Sequence, residues 1–257
     1  LMAAAMQGRD EMVNLLIDGG SDVTAKDNEG RAPWIHALDN GHEKTAMRLL
    51  SHIDLSALKS LEPHPLVIAA AGGHIEILEF LFSKGVDVDC ADEYGNTALL
   101  ASVASSQVEI LQVLLSRDAN PNSQNQDGLS ALLQAVASGN LGVVEMLIAK
   151  GADLNIADND GVTPLIAAVM FRSKEAVSLL ISKGADVNRC DIQGRSPLIF
   201  SAIIGYEPCV RLLIDNGADA SIKDRNGRTA LMEAEQRGNE KITGLLIRAT
   251  IDVSKSI

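Results

Sequence analysis

Aromatic residues are scarce in this chain: phenylalanine, tyrosine and tryptophan together make up 3% of its 257 residues. A core without large rings must be filled by alanine, leucine and isoleucine, a composition that suits thin layers of short helices. The single tryptophan, Trp34, lies in a regular column of apolar residues, so we expect it to be a core residue. Tyr94 lies in a predicted turn and is expected to be exposed.

Cysteine is also rare, and no apolar run is long. The three cysteines, Cys90, Cys190 and Cys209, form an odd and scattered set. Such a set argues against a disulfide framework and favours a reducing compartment, the cytoplasm or the nucleus. The longest apolar stretch, residues 65 to 71, is far too short to span a bilayer, so we expect no membrane insertion.

Basic residues are fewer than acidic ones. The chain carries 22 Lys and Arg against 34 Asp and Glu, which gives a net charge of −12. An acidic surface repels phosphate backbones, so we expect no nucleic-acid partner. The same charge keeps a partly apolar surface soluble.

Motifs of catalysis are missing as well. The sequence has no glycine-rich phosphate loop ending in Lys-Ser/Thr, no H-E-x-x-H and no C-x-x-C. The remaining motifs do not provide a nucleophile with a base and a group to orient it. We therefore expect that the chain is not an enzyme and binds no cofactor or metal. The five histidines fall in the first third of the chain, where we interpret His42 and His74 as structural. His52 and His64 are expected to face solvent, and His36 to lie in a helix without a ligand role.

The dominant positive feature is a period of 33 residues. Five glycines recur at that spacing, each within the pattern Gly-x-(Thr/Ser)-(Ala/Pro)-Leu: Gly95, Gly128, Gly161, Gly194 and Gly227. An apolar column follows four residues later, and a leucine column recurs further on at Leu16, Leu49, Leu81, Leu114, Leu147, Leu180, Leu213 and Leu246. A period this strict predicts one elongated domain of eight stacked repeats, the first entered partway.

Each repeat predicts two helices and a turn. Thr163-Pro164 can cap and open a first helix, and a glycine closes it, except that Ser106 and Arg172 stand in that column. A second helix ends at another glycine, replaced once by Asp118. A polar turn follows the second helix. We expect an aspartate at a fixed position to shape this turn in five repeats: Asp27, Asp92, Asp158, Asp191 and Asp224.

These motifs resemble the ankyrin repeat. The segments Gly161-Val162-Thr163-Pro164-Leu165 and Gly151-Ala152-Asp153-Leu154-Asn155 are similar to the family's "G-x-T-P-L" and "G-A-D-V-N". The resemblance implies an all-α solenoid with β-turn or hairpin fingers, and a protein–protein interaction scaffold. One departure is systematic: the family's histidine after the leucine is apolar in every copy, and we expect its burial to offset the lost hydrogen bond.

The predicted domain spans residues 1–257, with approximate repeats 1–27, 28–59, 60–92, 93–125, 126–158, 159–191, 192–224 and 225–257. Residues 51–61 lose the turn motif and are expected to form a short helical turn. Polar Glu235 in the last repeat suggests a cap, so the stack should end near Ile257. The first repeat has no such cap, which suggests a fragment of a longer protein.

Turn tips and the ends of first helices would line the concave face of such a stack. Large apolar residues gather there in repeats five to seven: Leu129, Val162, Met170, Phe171, Ile192, Ile203 and Ile204. Four arginines, Arg195, Arg225, Arg228 and Arg237, would form a basic rim beside them. We interpret this surface, with Tyr94 as a separate anchor, as a partner site. The alternative is that Phe171 and Ile204 are core residues.

The predicted partner is a protein or peptide with apolar anchors and acidic flanks, bound by repeats five to eight of a monomer. A second possibility is that the chain is the recognition segment of a larger enzyme or signalling protein whose catalytic domain lies elsewhere. Catalysis within the repeats and a homodimer through the apolar residues are the remaining alternatives.

Overall fold

The computed structural model describes residues 1–254, with side chains described up to residue 250. The chain divides into two compact units, Leu1–Asn120 and Pro121–Ile257, which are treated separately below. The expectation of one elongated domain therefore stays a prediction. The expected end of the stack near Ile257 falls outside the described residues.

All named elements within residues 1–254 are helices, which confirms the all-α prediction. The first unit contains α1 Met2–Met6, α2 Asp10–Asp18, α3 Pro33–Asp39, α4 Glu43–Ser51, α5 Leu55–Ser60, α6 Pro65–Gly72, α7 Ile75–Ser83, α8 Ala98–Ala104 and α9 Val108–Ser116. The second contains α10 Ala131–Ala137, α11 Leu141–Ala149, α12 Pro164–Met170, α13 Lys174–Ser182, α14 Pro197–Ile204, α15 Glu207–Asp215, α16 Ala230–Gln236 and α17 Glu240–Ser254. Isolated bridges link Ala91 with Thr97 and Gln124 with Ser130.

The helices pack in the pattern that a repeat predicts. The two helices of each repeat contact each other, as α3 does α4 and α12 does α13. First helices also contact first helices: α1 packs on α3 and α6 on α8 in the first unit, and α10, α12, α14 and α16 pack in succession in the second. Each layer therefore buries its apolar columns against its neighbour.

A side-chain cap starts most of the first helices. In five repeats a Thr or Ser hydroxyl accepts from the backbone N–H three residues later, at 3.2–3.3 Å. These residues are Thr97, Ser130, Thr163, Ser196 and Thr229. His64 stands in the same column, and its Nδ1 accepts from the Leu66 N–H at 3.2 Å. The expectation that His64 faces solvent was wrong, because capping draws the ring inside, where it is 1% exposed.

Three residues other than glycine take the left-handed backbone that the repeat requires. Ser106 and Arg172 end first helices with φ of 58° and 56°, and Asp118 ends a second helix with φ of 59°. The sequence prediction for these three positions is confirmed. The conformation is strained for a residue with a Cβ atom, by about 1–3 kcal/mol each.

The apolar columns form the core. Trp34 is 1% exposed, as expected. The residues that replace the family's histidine are at most 7% exposed in six repeats: Ile35, Val67, Leu100, Leu133, Ile166 and Ile199. Met232, in the last repeat, is instead 45% exposed. The expected compensation by burial, about 1.5–3 kcal/mol per large side chain, is therefore available in the internal layers only.

Residues 51–61 contain the short helix that the sequence predicts, α5. The Asp54 carboxylate accepts from the Ala57 N–H at 2.8 Å and so caps its first turn. Leu58 anchors the segment, with 1% of its surface exposed.

Candidate functional site

The turns between repeats, here called fingers, are shaped by the predicted aspartates. In the second unit, Asp158 Oδ1 accepts from the N–H groups of Asp160 and Val162 at 3.0 and 2.8 Å. Asp191 and Asp224 make the same pair of bonds in the next two fingers. Each finger is therefore closed by its own side chain, which fixes the direction of its tip.

The fingers of the second unit are also joined to one another by main-chain hydrogen bonds. Asn159 N–H donates to the carbonyl of Asp127 at 3.1 Å, and Ile192 N–H to that of Asp160 at 3.0 Å. Arg225 N–H donates to the carbonyl of Gln193 at 2.8 Å. These bonds set the spacing of the finger tips, and with it the positions of the Ile192 and Arg225 side chains.

The apolar residues at the first-helix ends form what we call the apolar cluster: Met170, Phe171, Ile203 and Ile204. Met170 ends α12 and Phe171 caps it, while Ile203 and Ile204 end α14, which packs on α12. Met170 is 44% and Phe171 59% exposed. Phe171 is therefore a surface residue, and the alternative that it belongs to the core was wrong. Ile203 and Ile204 are half-buried.

The tip residues extend this apolar surface along α12. Ile192 is 44% exposed, whereas Val162 and Leu129 are half-buried. Val162 lies two residues before α12 and Met170 at its end, and the seven residues of the helix span about 10 Å, at 1.5 Å per residue. Apolar side chains thus stand at both ends of one first helix, at a spacing that a peptide of a few residues can bridge.

The predicted basic rim is largely neutralised within the chain. Arg195 pairs with Asp191 at 2.6 Å and lies 4.5 Å from the centre of the Phe200 ring. Arg228 pairs with Glu233, and Arg237 lies 3.4 Å from the same carboxylate. Three of the four arginines therefore hold fingers and helices together.

Two other arginines, Arg172 and Arg225, have no carboxylate within ion-pair distance among the described residues, although Arg172 donates to the Ile204 carbonyl at 2.7 Å and lies 5.8 Å from the centre of the Tyr206 ring. Both are exposed. Arg172 lies beside the apolar cluster, and the sequence prediction did not count it as part of the rim. Its position in a column otherwise made of small residues was the signal that could have identified it.

Tyr94 belongs to the first unit. Its side chain is 60% exposed, as expected for a finger tip, and its N–H donates to Asp92 Oδ1 at 3.0 Å. Tyr94 remains a separate prediction, because it lies in a different unit from the apolar cluster.

Two of the histidines contact carboxylates in the first unit. His36 Nε2 lies 2.8 Å from Asp27 Oδ2, and His74 Nδ1 lies 2.5 Å from Glu43 Oε1. Each contact joins two segments of the stack. Within the described part of the chain, His, Cys, Asp and Glu side chains form no group of three or more that could hold a metal ion.

The cysteines are free thiols. Cys90 and Cys190 are half-buried and Cys209 is fully buried. Burial raises the pKa of the Cys209 thiol to about 11, so that thiol is unreactive near neutral pH. Over the described residues, every helix is too short or too polar to cross a membrane.

Comparisons with known proteins match this chain to ankyrin repeats, both by sequence and by structure. A family model described as "Ankyrin repeats (3 copies)" matches residues 1–92, 54–125, 107–191 and 187–256. The crystal structure of an ankyrin repeat domain from Acinetobacter baumannii AYE is similar, with a TM-score of 0.68 and 31% identity. The alignment covers 74% of this chain and 99% of that one.

Three curated relatives are similar over 38% of the chain. They are the human "Ankyrin repeat and KH domain-containing protein 1" (31% identical), a Caenorhabditis elegans homologue of "Transient receptor potential cation channel subfamily A member 1" (33%) and the Drosophila melanogaster "Ankyrin repeat and KH domain-containing protein mask" (32%). The aligned part spans only 4%, 8% and 2% of their respective lengths.

Proposed function

The chain belongs to the ankyrin repeat family, and from that premise we propose that it is a non-catalytic module that binds a protein segment through repeats five to eight. Ankyrin repeats generally mediate protein–protein interaction. The segment we propose carries apolar anchors and acidic flanks. The anchors would contact the apolar cluster and Ile192, and the acidic flanks would pair with Arg172 and Arg225.

One observation carries this proposal: Phe171 and Met170 are large, apolar and exposed at the end of α12, which packs on α14 and its apolar end. Exposed apolar groups of this kind mark interaction surfaces. Arg172, next to Phe171, and Arg225, in the finger that bonds to the finger of Ile192, have no carboxylate partner among the described residues, in a chain of net charge −12. An acidic flank is the complement of those cations, because it gains charge-assisted hydrogen bonds and faster encounter.

A second candidate follows from the comparisons. The curated relatives are far longer than the aligned part, and their printed names include a KH domain and a cation channel. The module would then be the recognition segment of a larger enzyme or signalling protein. The surface and its partner chemistry are the same under both candidates.

We propose a reducing compartment, since all three cysteines are free thiols. We also propose that the isolated module is a monomer, with no nucleic-acid partner.

The test is selection from a random peptide library displayed on phage, with the chain as the immobilised target. Selected peptides should combine Leu, Ile, Phe or Trp with Asp or Glu. Their affinity is then measured for the wild-type chain and for the double variant Phe171→Asp, Ile192→Asp. We expect the double variant to lose at least about tenfold in affinity, because two apolar contacts are replaced by like charges.

Ile247→Asp is the matched control. Ile247 is 41% exposed and lies on α17, a second helix, so the same change is made in the same unit but away from the first-helix ends. Its affinity should stay within about twofold of the wild type. Circular dichroism melts of all three proteins verify the fold. Equal binding by a folded double variant and the wild type would refute the proposed surface.

A further inference from the structure

One position in the second unit keeps a residue that strains the backbone. Arg172 ends a first helix in the column where Gly139, Gly205 and Gly238 stand in the other repeats of this unit. Its φ is 56°, a conformation that is unfavourable for a residue with a Cβ atom and free of strain for glycine. Arg172 therefore retains a strain that the usual residue of the repeat would remove.

The next repeat departs from the pattern at the residue that begins its second helix. In the other repeats of the unit this residue caps the helix: a side-chain oxygen of Asn140, Ser173 or Asn239 accepts from the N–H group three residues later, at 3.2–3.3 Å. Tyr206 stands in this column and makes no such bond. The helix α15 therefore begins without the side-chain cap that its neighbours have.

The two unusual residues contact each other. The guanidinium carbon of Arg172 lies 5.8 Å from the centre of the Tyr206 ring, within the range of a cation–π interaction. Nη2 of the same group donates to the Ile204 carbonyl at 2.7 Å. The ring and the carbonyl together hold the guanidinium at the end of α14, beside the apolar cluster. Two locally unfavourable choices that meet in one contact favour a functional role over independent drift.

The held guanidinium still has donors for an anion. Arg172 is exposed, and the bond to Ile204 uses one of the five N–H groups that a guanidinium carries. Glu175, on the first turn of α13, forms no ion pair with it among the described residues. Since the side chain is already fixed, less rotamer freedom is lost when an anion binds.

We propose that Arg172, positioned by Tyr206, recognises one carboxylate of the bound segment, an Asp or Glu next to the apolar anchor that contacts Phe171. This inference rests on the proposed function and makes it more specific, because the acidic flank is recognised at one position and not by its overall charge. A carboxylate is the complement of a guanidinium, which can donate two parallel hydrogen bonds to it. Phosphate groups are instead usually held by clusters of arginines.

The test uses the tightest peptide from the phage selection, with copies in which each Asp or Glu is replaced singly by Asn or Gln. Fluorescence anisotropy gives the affinity of each copy, and the ratio of acid to amide affinity measures the contribution of each carboxylate. For the wild-type chain we expect one position with a ratio of at least about tenfold, as for a hydrogen-bonded charge pair.

Two variants restore the usual residues of the repeat and should therefore fold, which circular dichroism melts verify. Arg172→Gly should reduce the ratio at that position to within about twofold of unity. Tyr206→Asn removes the ring beside the guanidinium and should lower the ratio by at least about threefold. Tyr206→Phe keeps the ring and should restore the wild-type ratio. A contact that served stability alone would leave the ratio unchanged in all three variants.

Arg189→Gln is the matched control, because it removes another exposed positive charge of the same unit, in a turn away from the first-helix ends. It should leave the ratio within about twofold of the wild-type value. If Arg172→Gly keeps the wild-type ratio, or changes it no more than Arg189→Gln does, the inference is overturned. An unchanged ratio in Tyr206→Asn would remove the role of Tyr206.

Failure of this inference can be told apart from failure of the proposed function. If the double variant Phe171→Asp, Ile192→Asp loses the peptide while Arg172→Gly keeps the acid-to-amide ratio, the surface stands and the carboxylate site is overturned. If the double variant binds the peptide as the wild type does, the proposed surface is refuted and the carboxylate site with it.

Discussion

The guanidinium of Arg172 donates a hydrogen bond to the main-chain carbonyl of Ile204 at 2.7 Å, and so joins the ends of α12 and α14. The same residue holds a left-handed backbone, with φ of 56°, in a column otherwise made of glycine and other small residues. A strained backbone and a bond between repeats therefore meet in one residue beside the apolar cluster. The strain is tolerated because the side chain satisfies a carbonyl at a helix end.

Replacing Arg172 should separate these two effects. Arg172→Gly removes the bond but relieves the strain, so its stability should be close to that of the wild type. Arg172→Ala removes the bond and keeps the strain, and should be less stable than the glycine variant by about 1 kcal/mol. Urea unfolding monitored by circular dichroism compares them. Equal midpoints for the two variants would show that the backbone is not strained there.

Gly161 should tolerate substitution less well than Gly227. Both have positive φ, 78° and 75°. A Cβ atom on Gly161 would lie 2.6 Å from the backbone nitrogen of Ile192, whereas on Gly227 it would meet nothing within 4 Å. Gly227→Ala should cost about 1 kcal/mol from backbone strain, and Gly161→Ala distinctly more, because the finger tips must also move apart. Thermal melts of the two variants give the comparison, and equal losses would contradict it.

His64 should make the stability of the first unit sensitive to acid. Burial holds the pKa of His64 below its usual value, with Asp92 acting in the opposite direction. The unfolded chain therefore takes up the proton first, and stability is lost as the pH falls below about 6.5. Protonation would also cost the bond that Nδ1 accepts from Leu66 N–H.

The variant that tests this is His64→Thr, which restores the Thr or Ser cap of the other repeats and removes the unpartnered buried Nε2. The loss of unfolding free energy between pH 7.5 and pH 5 should be smaller than in the wild type. His52→Thr, at an exposed histidine, is the control and should leave that loss unchanged. The same pH profile in all three proteins would refute the prediction.

Arg228 and Arg225 should have different roles despite their proximity in sequence. Arg228 pairs with Glu233, whose side chain is only 8% exposed. Arg228→Met leaves a buried carboxylate with a weaker partner, and should lower the unfolding free energy by about 1.5–3 kcal/mol. Arg225→Met should change stability by less than about 0.5 kcal/mol.

In binding, by contrast with stability, Arg225 is the arginine of this pair whose replacement should have the larger effect. Arg225→Met should weaken the selected acidic peptides, and the difference from wild type should shrink as salt is raised, since screening removes the contribution of an exposed charge. Fluorescence anisotropy at two salt concentrations measures this. An Arg225→Met chain that binds as well as wild type at low salt would remove Arg225 from the proposed site.

Much of the architecture could be read from the period. A column of Thr and Ser before a leucine predicts a cap because the hydroxyl needs only a backbone N–H three residues away. The finger aspartates and the left-handed positions of Ser106, Asp118 and Arg172 are of the same kind. Each of these features depends only on residues within about four positions of one another, so local chemistry is enough to predict them.

For the candidate site, too, the sequence predicted the local features but not the contacts between distant residues. The sequence identified Met170, Phe171 and Ile192 as large apolar residues at unusual positions. It could not show that Arg195 and Arg228 pair with carboxylates while Arg172 bonds to a main-chain carbonyl, because those contacts depend on where side chains end in three dimensions.

The 33-residue order alone determined the family, the two-helix layer and the columns that can be buried. Tertiary structure decided which members of a column are covered: Leu49 is closed and Leu16 is not, although both occupy the same place in the repeat. The reason is that burial belongs to a pair of layers rather than to one. A residue's own repeat sets the direction of its side chain, and the neighbouring layer determines whether water reaches it.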